Sequence, residues 1–166
     1  MHSYKELIFH FGSHLNENGF RYFLSETFSD LTHYDVTESE YVVSELAGME
    51  LGFTNESAIY DEDDMVVFEK GGPIFSHFNA YPRSCCMLTE FPFNVSFDDT
   101  RDIVLQKAGV PTQTKEGYSD LLGKHFLVDN YKIGDVVFTV DYDPHMKTIN
   151  FIQMRGNRQI EHLMLK

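Results

Sequence analysis

The amino-acid sequence predicts an α+β fold with a mostly antiparallel β-sheet. Two stretches have helical periodicity, one at the N-terminus and one near residue 100, and short strand-like segments follow each of them. The predicted order is therefore helix, strands, helix, strands. It lacks the regularly alternating strand–helix–strand units that indicate a parallel sheet. The length of 166 residues fits one domain, or two packed halves at 1–82 and 92–166.

The chain begins with a predicted helix over residues 4–18. Its apolar residues recur at helical spacing on one face: Leu7, Ile8, Phe11 and Leu15. Gly19 is predicted to end this helix, and residues 20–24 form a short predicted strand. Residues 26–39 are polar and irregular, and no element is predicted there.

Short strands are predicted between residues 40 and 81. The alternation is clearest where Met49, Leu51 and Phe53 share one face of a strand. Four further strands are predicted on either side of it: EYVVSEL (40–46), SAIY (57–60), MVVFE (65–69) and IFSHFNAY (74–81). A strong turn, Lys-Gly-Gly-Pro at 70–73, precedes the last of these.

The second half is predicted to contain a central helix at about 97–108 before a C-terminal β-hairpin. It follows a proline-bounded step, 82–92, with a strand predicted at 85–91. Ser96 is a suitable N-cap with Asp99 three residues on, and Gly109 and Pro111 end the helix. A loop is predicted next at 112–124, and strands at 125–133, 135–143 and 148–154, the last two forming the hairpin.

The net charge of −13 is concentrated in one part of the chain. Residues 22–69 hold 13 acidic residues and no Lys or Arg, whereas the remaining residues hold equal numbers of acids and bases. Such a one-signed region repels phosphates, which argues against nucleic acid or an anionic membrane as a partner. It favours a cationic protein partner, which it attracts and selects by charge. The alternative interpretation is a solvated face that keeps the protein soluble.

The composition indicates a reduced, cytoplasmic protein. The N-terminus lacks the basic start and apolar stretch of a signal peptide, and no apolar run reaches membrane length. The two cysteines, Cys85 and Cys86, are adjacent, and neighbouring cysteines rarely bond to each other because the ring is strained.

No sequence motif indicates an enzyme or a cofactor. Phosphate-binding glycine loops and nucleophile elbows are absent from the sequence. Glu6, His10 and His14 are spaced four apart, so on one helix they form a stripe able to ligate a metal ion. This stripe supports an alternative reading as a small metal protein or enzyme, but it lacks the zinc-peptidase consensus.

The remaining signal is a recognition surface within the acidic region. Tyr34, Tyr41, Phe53 and Tyr60 are interleaved with its acids, and aromatic anchors with acidic neighbours suit an interface with a basic protein. The alternative is that these aromatics belong to the core. Of the four, Tyr41 and Tyr60 are expected to be partly exposed because a phenol tolerates a wet edge.

Four stretches follow one another between residues 48 and 154: GMELGFT, an FPF step, the helix sequence SFDDTR with its terminal GVP, and the hairpin sequence VFTVDYD. In this order they resemble small bacterial immunity proteins, which protect a cell against polymorphic toxins or contact-dependent inhibition toxins. The resemblance implies a protein without catalysis that neutralises a basic, nuclease-like toxin domain. The expected toxin-binding residues are Glu56, Tyr60, Asp61, Glu62, Asp63 and Asp64. A regulatory module that binds some other basic protein is a further alternative.

Overall fold

The computed structural model describes residues 2–31, 41–55, 72–82, 88–157 and 165. Its main element is a seven-stranded antiparallel sheet. The strands are β2 (Tyr41–Ser44), β3 (Met49–Asn55), β4 (Pro73–Ala80), β6 (Gln113–Ser119), β7 (Lys124–Ile133), β8 (Val136–Tyr142) and β9 (Ile149–Gly156). Two short strands, β1 (His2–Ser3) and β5 (Leu88–Glu90), form a separate parallel pair.

Within the described residues, three α-helices accompany the sheet, and the α+β prediction is therefore confirmed. They are α1 (Tyr4–Phe9), α2 (Asn18–Thr27) and α3 (Arg101–Ala108), and a 3₁₀ turn covers Pro92–Asn94. None of the helices in the described ranges combines the length and the hydropathy needed to cross a membrane.

The strand order is β2-β3-β4-β9-β8-β7-β6. β4 lies beside β9, so this one pairing joins strands from residues 41–80 to strands from residues 113–156. The predicted hairpin is present as β8 and β9, which pair from Val136↔Gly156 to Tyr142↔Ile149. Among the strands of the described residues, β2 and β6 stand at the two ends of this order.

The core lies on one face of this sheet. Five residues in cross-strand register form an apolar row across β3, β4, β9, β8 and β7: Leu51, Phe78, Met154, Phe138 and Tyr131. From α2, the ring of Phe20 packs on Phe75, with centroids 5.1 Å apart. Phe93 of the 3₁₀ turn packs against Tyr131 at the other end of the row, with ring centroids 5.8 Å apart. The core is thus rich in aromatic rings, which bury large apolar areas.

The structure corrects the predicted N-terminal helix. α1 ends at Phe9, because the following residues turn and run beside β4: the amide of Gly12 donates to the carbonyl of Phe75, and that of Leu15 to Pro73. The strand prediction for residues 20–24 is wrong, since these residues lie within α2 and Gly19 is near its start. Phe20, Leu24 and Thr27 are buried at helical spacing, which is the pattern of an amphipathic helix.

The second half differs from prediction in two places. α3 begins at Arg101 rather than Phe97, because Ser96 and Asp99 cap a preceding turn and Thr100 is the N-cap of the helix. The amide of Ser96 donates to the Asp99 carboxylate at 2.8 Å. The loop predicted at 112–124 contains β6, an exposed edge strand paired along its length with β7.

Candidate protein-binding surface

The residues expected to bind a partner lie outside the described residues. This holds for Glu56, Tyr60, Asp61, Glu62, Asp63 and Asp64, and for the strands predicted at 57–60 and 65–69. Their role in binding stays a prediction.

The described part of the acidic region, 22–31 and 41–55, contains four acids with two kinds of role. Asp30 is structural: it accepts hydrogen bonds from the Ser44 hydroxyl at 2.7 Å and from the Leu46 amide at 3.1 Å. Burial acts to raise the pKa of Asp30, but the hydrogen bonds from Ser44 and from several backbone amides together outweigh burial and lower it. Glu50 also bonds within the fold, whereas Glu26 and Glu45 are exposed.

An edge strand within the acidic region carries exposed apolar side chains. Val42 and Ser44 of β2 face the protein interior, and the alternate residues face out, with Tyr41 37% and Val43 45% exposed. Leu46 follows at 59% exposure, beside the exposed Glu45. Among the described strands, only β3 pairs with β2. Exposed apolar groups at a strand edge are a frequent means of protein recognition.

Of the two described aromatic residues interleaved with the acids, one is at the surface and one is in the core. Tyr41 is partly exposed, as predicted, and its hydroxyl lies 3.2 Å from Nε2 of His77. Phe53 belongs to the core, with 2% of its surface exposed. Tyr34 and Tyr60 lie outside the described residues.

A row of polar side chains crosses the opposite face of the sheet. Each of its residues is the sequence neighbour of a residue in the apolar row. It is formed by Glu50, Asn79, Gln153, Thr139 and Asn130, which are cross-strand neighbours in succession. The Asn79 amide donates to Glu50 at 3.1 Å, and the Gln153 amide donates to Asn79 at 2.9 Å. The Thr139 hydroxyl donates to Asn130 at 2.6 Å. Because buried polar groups need partners, this row fixes the strand register.

Next to this row, Ser76 and His77 form a hydrogen-bonded pair. The Ser76 hydroxyl lies 2.7 Å from Nδ1 of His77, a distance also seen between a nucleophile and its base. However, Ser76 is only 2% exposed, and its oxygen also accepts a hydrogen bond from Thr54. Burial, reinforced by Arg155 and opposed by Glu50, lowers the pKa of His77 to about 4. The pair therefore holds the sheet together and offers a weak base and a buried hydroxyl.

A groove of about 730 Å³ lies at the end of the sheet, beside the turn between β8 and β9. Asp141 and Asn150 form part of its wall, and the Asn150 amide donates to Asp141 at 2.8 Å. Burial raises the pKa of Asp141. His125 and His145 line the same groove with ring centroids 6.3 Å apart. The lining mixes acid, base and apolar groups, so the groove has no single preferred ligand charge.

The structure does not bring Glu6, His10 and His14 together as a stripe. The helix that would align them ends at Phe9, and within the described residues no three His, Cys, Asp or Glu side chains are placed to hold a metal ion. His10 packs against the ring of Phe23, with centroids 4.3 Å apart, and Nδ1 of His14 accepts the Asn16 amide. Glu6 and His10 instead line one groove with aromatic residues of α2.

Comparison with known proteins yields no match to any protein-family model, curated protein or solved structure. The resemblance to immunity proteins therefore stays a prediction.

The polar row is absent from the predictions above, although the sequence contains a signal for it. Glu50, Asn79 and Thr139 each interrupt an apolar strand segment with a side chain that has to find a hydrogen-bond partner. These residues become neighbours only through the register between strands, which cannot be predicted from the sequence pattern of a single strand.

Proposed function

We propose that this chain is a cytoplasmic immunity protein that binds and neutralises a basic, nuclease-like toxin domain. The observation that carries the proposal is the segregation of charge: residues 22–69 contain 13 acids and no Lys or Arg. Charge of one sign raises the rate of encounter with an oppositely charged protein to about 10⁸–10⁹ M⁻¹s⁻¹ at low salt. Fast capture suits an inhibitor that has to act before the toxin damages the cell.

The described edge strand supports an interface in the same region. Tyr41, Val43 and Leu46 are exposed beside Glu45, which combines apolar contact with negative charge. Interfaces need such apolar contact, since exposed charge pairs alone contribute little affinity, typically about 0–1 kcal/mol each. In this proposal the acids attract the toxin domain, and the β2 side chains pack against it.

A pull-down from the native cells at low salt tests the proposal. The protein is expected to retain one stoichiometric partner with a strongly basic domain, released by moderate salt and identified by mass spectrometry. Expression of that partner without this protein should be toxic, and co-expression should remove the toxicity. A basic partner that is harmless alone would indicate a regulatory module instead, and no partner at all would contradict both.

A further inference from the structure

An aromatic groove of about 540 Å³ lies between α1 and α2. Three ring residues that line it are Phe9 of α1 and Tyr22 and Phe23 of α2. Phe9 is 82% exposed and Tyr22 is 67% exposed. The same two helices are anchored in the core by the buried side chains of Leu7 and Leu24. Exposed aromatic side chains that line one groove are a feature of surfaces that bind a partner or ligand.

The wall of this groove is held in place by stacking. The His10 ring lies 4.3 Å from Phe23 and 5.3 Å from the buried Phe20, centroid to centroid. Burial is the main cause that lowers the pKa of His10, so its imidazole is neutral near pH 7. Because these rings are already packed together, a ligand that binds against this wall does not have to order it first.

The charges beside these rings favour a cation. Glu6 and Glu26 both line the groove and both are exposed to solvent. Among the described residues that line the groove, Lys5 is the one lysine or arginine, and its ammonium lies 5.8 Å from the ring centroid of Tyr4, which is not part of the groove. Carboxylates next to aromatic faces attract a cation in two ways, by charge and through the ring quadrupole.

We propose that the α1–α2 groove binds an arginine side chain of the basic partner. This inference rests on the proposed function for the identity of the partner, but the groove's own chemistry selects the side chain. A guanidinium is planar, so it stacks on the rings of Phe9 and Tyr22 while its N–H groups donate to Glu26. An ammonium matches the charge but offers neither the flat face nor the fork of donors.

The test uses the whole protein and a tripeptide, N-acetyl-Gly-Arg-Gly-amide, in a titration followed by NMR. The matched control peptide contains citrulline, which has the shape of arginine without its charge. We expect the arginine peptide to shift the aromatic resonances of Phe9, Tyr22 and Phe23, with at least tenfold weaker binding of the citrulline peptide. Equal binding of the two peptides, or shifts elsewhere only, would overturn the inference.

Two variants sharpen this test. Glu26→Gln should weaken binding of the arginine peptide at least threefold, and Phe9→Ala should do the same without disturbing the core, since Phe9 is mostly exposed. The control is Glu116→Gln, which removes an exposed carboxylate from β6, outside the groove. If Glu116→Gln weakens binding as much as Glu26→Gln, the peptide senses only the net charge and the groove assignment is wrong.

The outcomes separate this inference from the proposed function. A basic partner in the pull-down together with no groove shifts would contradict the groove assignment and leave the immunity proposal intact. Groove shifts by the arginine peptide with no partner captured would contradict the immunity proposal and leave the cation-binding groove.

Discussion

Asp129 of β7 is an acidic residue whose side chain is fully buried. It is paired with Arg101, whose Nε and Nη2 donate to the two carboxylate oxygens at 2.7 and 3.0 Å. The Thr114 hydroxyl adds a third hydrogen bond at 2.6 Å. This cluster ties α3 and the edge strand β6 to β7. Burial alone would make such a charge very costly, so its partners decide whether the helix docks.

The two ends of this ion pair should respond differently to substitution. Arg101→Met leaves a buried carboxylate without its cation, and we expect the free energy of unfolding to fall by about 3–5 kcal/mol. Asp129→Asn should cost less, about 1–3 kcal/mol, because the Arg101 side chain remains 25% exposed and keeps contact with water. Urea denaturation of both variants measures the difference. Equal losses, or losses below about 1 kcal/mol, would contradict this view of the cluster.

His77 gives the fold a defined dependence on pH. Its pKa is lowered from 6.5 to about 4 in the folded protein, so the unfolded chain takes up the proton first as the pH falls. The free energy of unfolding should therefore decrease between about pH 6.5 and pH 4, by about 3 kcal/mol in total from this residue. His77→Gln removes the titration, so its pH profile should be flatter over that interval. Parallel profiles for the two proteins would show that folding does not lower the pKa of His77.

At the scale of the elements, Gly109 determines how α3 ends. It has φ 81° and ψ −161°, a backbone conformation that is essentially restricted to glycine, and a β-carbon there would meet no neighbouring atom. Gly109→Ala should therefore destabilise the protein by about 1–3 kcal/mol through the backbone alone. Gly19→Ala is the matched control, because Gly19 lies in α2 with open space around it.

We expect Gly19→Ala to stabilise the protein by about 0.5–1 kcal/mol, since alanine favours a helix. The midpoint of thermal unfolding, measured for Gly109→Ala and Gly19→Ala, checks both expectations. If Gly109→Ala were also stabilising, α3 would not end in this conformation.

The elements also show which features the sequence can predict. The strand around Leu51 was predictable because one of its faces is buried, and the end of α3 because Gly109 and Pro111 act locally. The strand β6 was missed because both of its faces are exposed, so it has no apolar alternation. The early end of α1 was missed because it depends on hydrogen bonds from Gly12 and Leu15 to β4, which is distant in sequence.

The candidate site was predictable to a smaller extent than the fold. The exposure of Tyr41 follows from the chemistry of a phenol at a strand edge. The groove beside Phe9 and Tyr22 arises only because α1 and α2 are two helices that meet, and the sequence suggested one continuous helix to residue 18. A binding surface made by two elements requires their relative placement, which local patterns do not contain.

For the whole molecule, the uneven distribution of charge is the property that most needs an explanation. Crowded like charges cost stability by mutual repulsion, so 13 acids within 48 residues are expected to serve a purpose outside the chain. Within the described residues Asp30 and Glu50 have structural roles, whereas Glu26 and Glu45 remain at the surface. The proposed partner supplies the missing positive charge.

The most direct test of this account compares two triple variants of equal net charge for binding of the captured partner. The first is Asp61→Asn with Asp63→Asn and Asp64→Asn. The control is Asp98→Asn with Asp120→Asn and Glu116→Gln, which neutralises three exposed acids outside residues 22–69. Affinity is measured for each at several salt concentrations.

We expect the first variant to lose at least about tenfold in affinity, corresponding to about 0.5 kcal/mol for each lost charge contact, and to become less sensitive to salt. The control should bind like the unaltered protein. If both variants bind equally well, the acidic block is a solvated surface and the central claim is wrong.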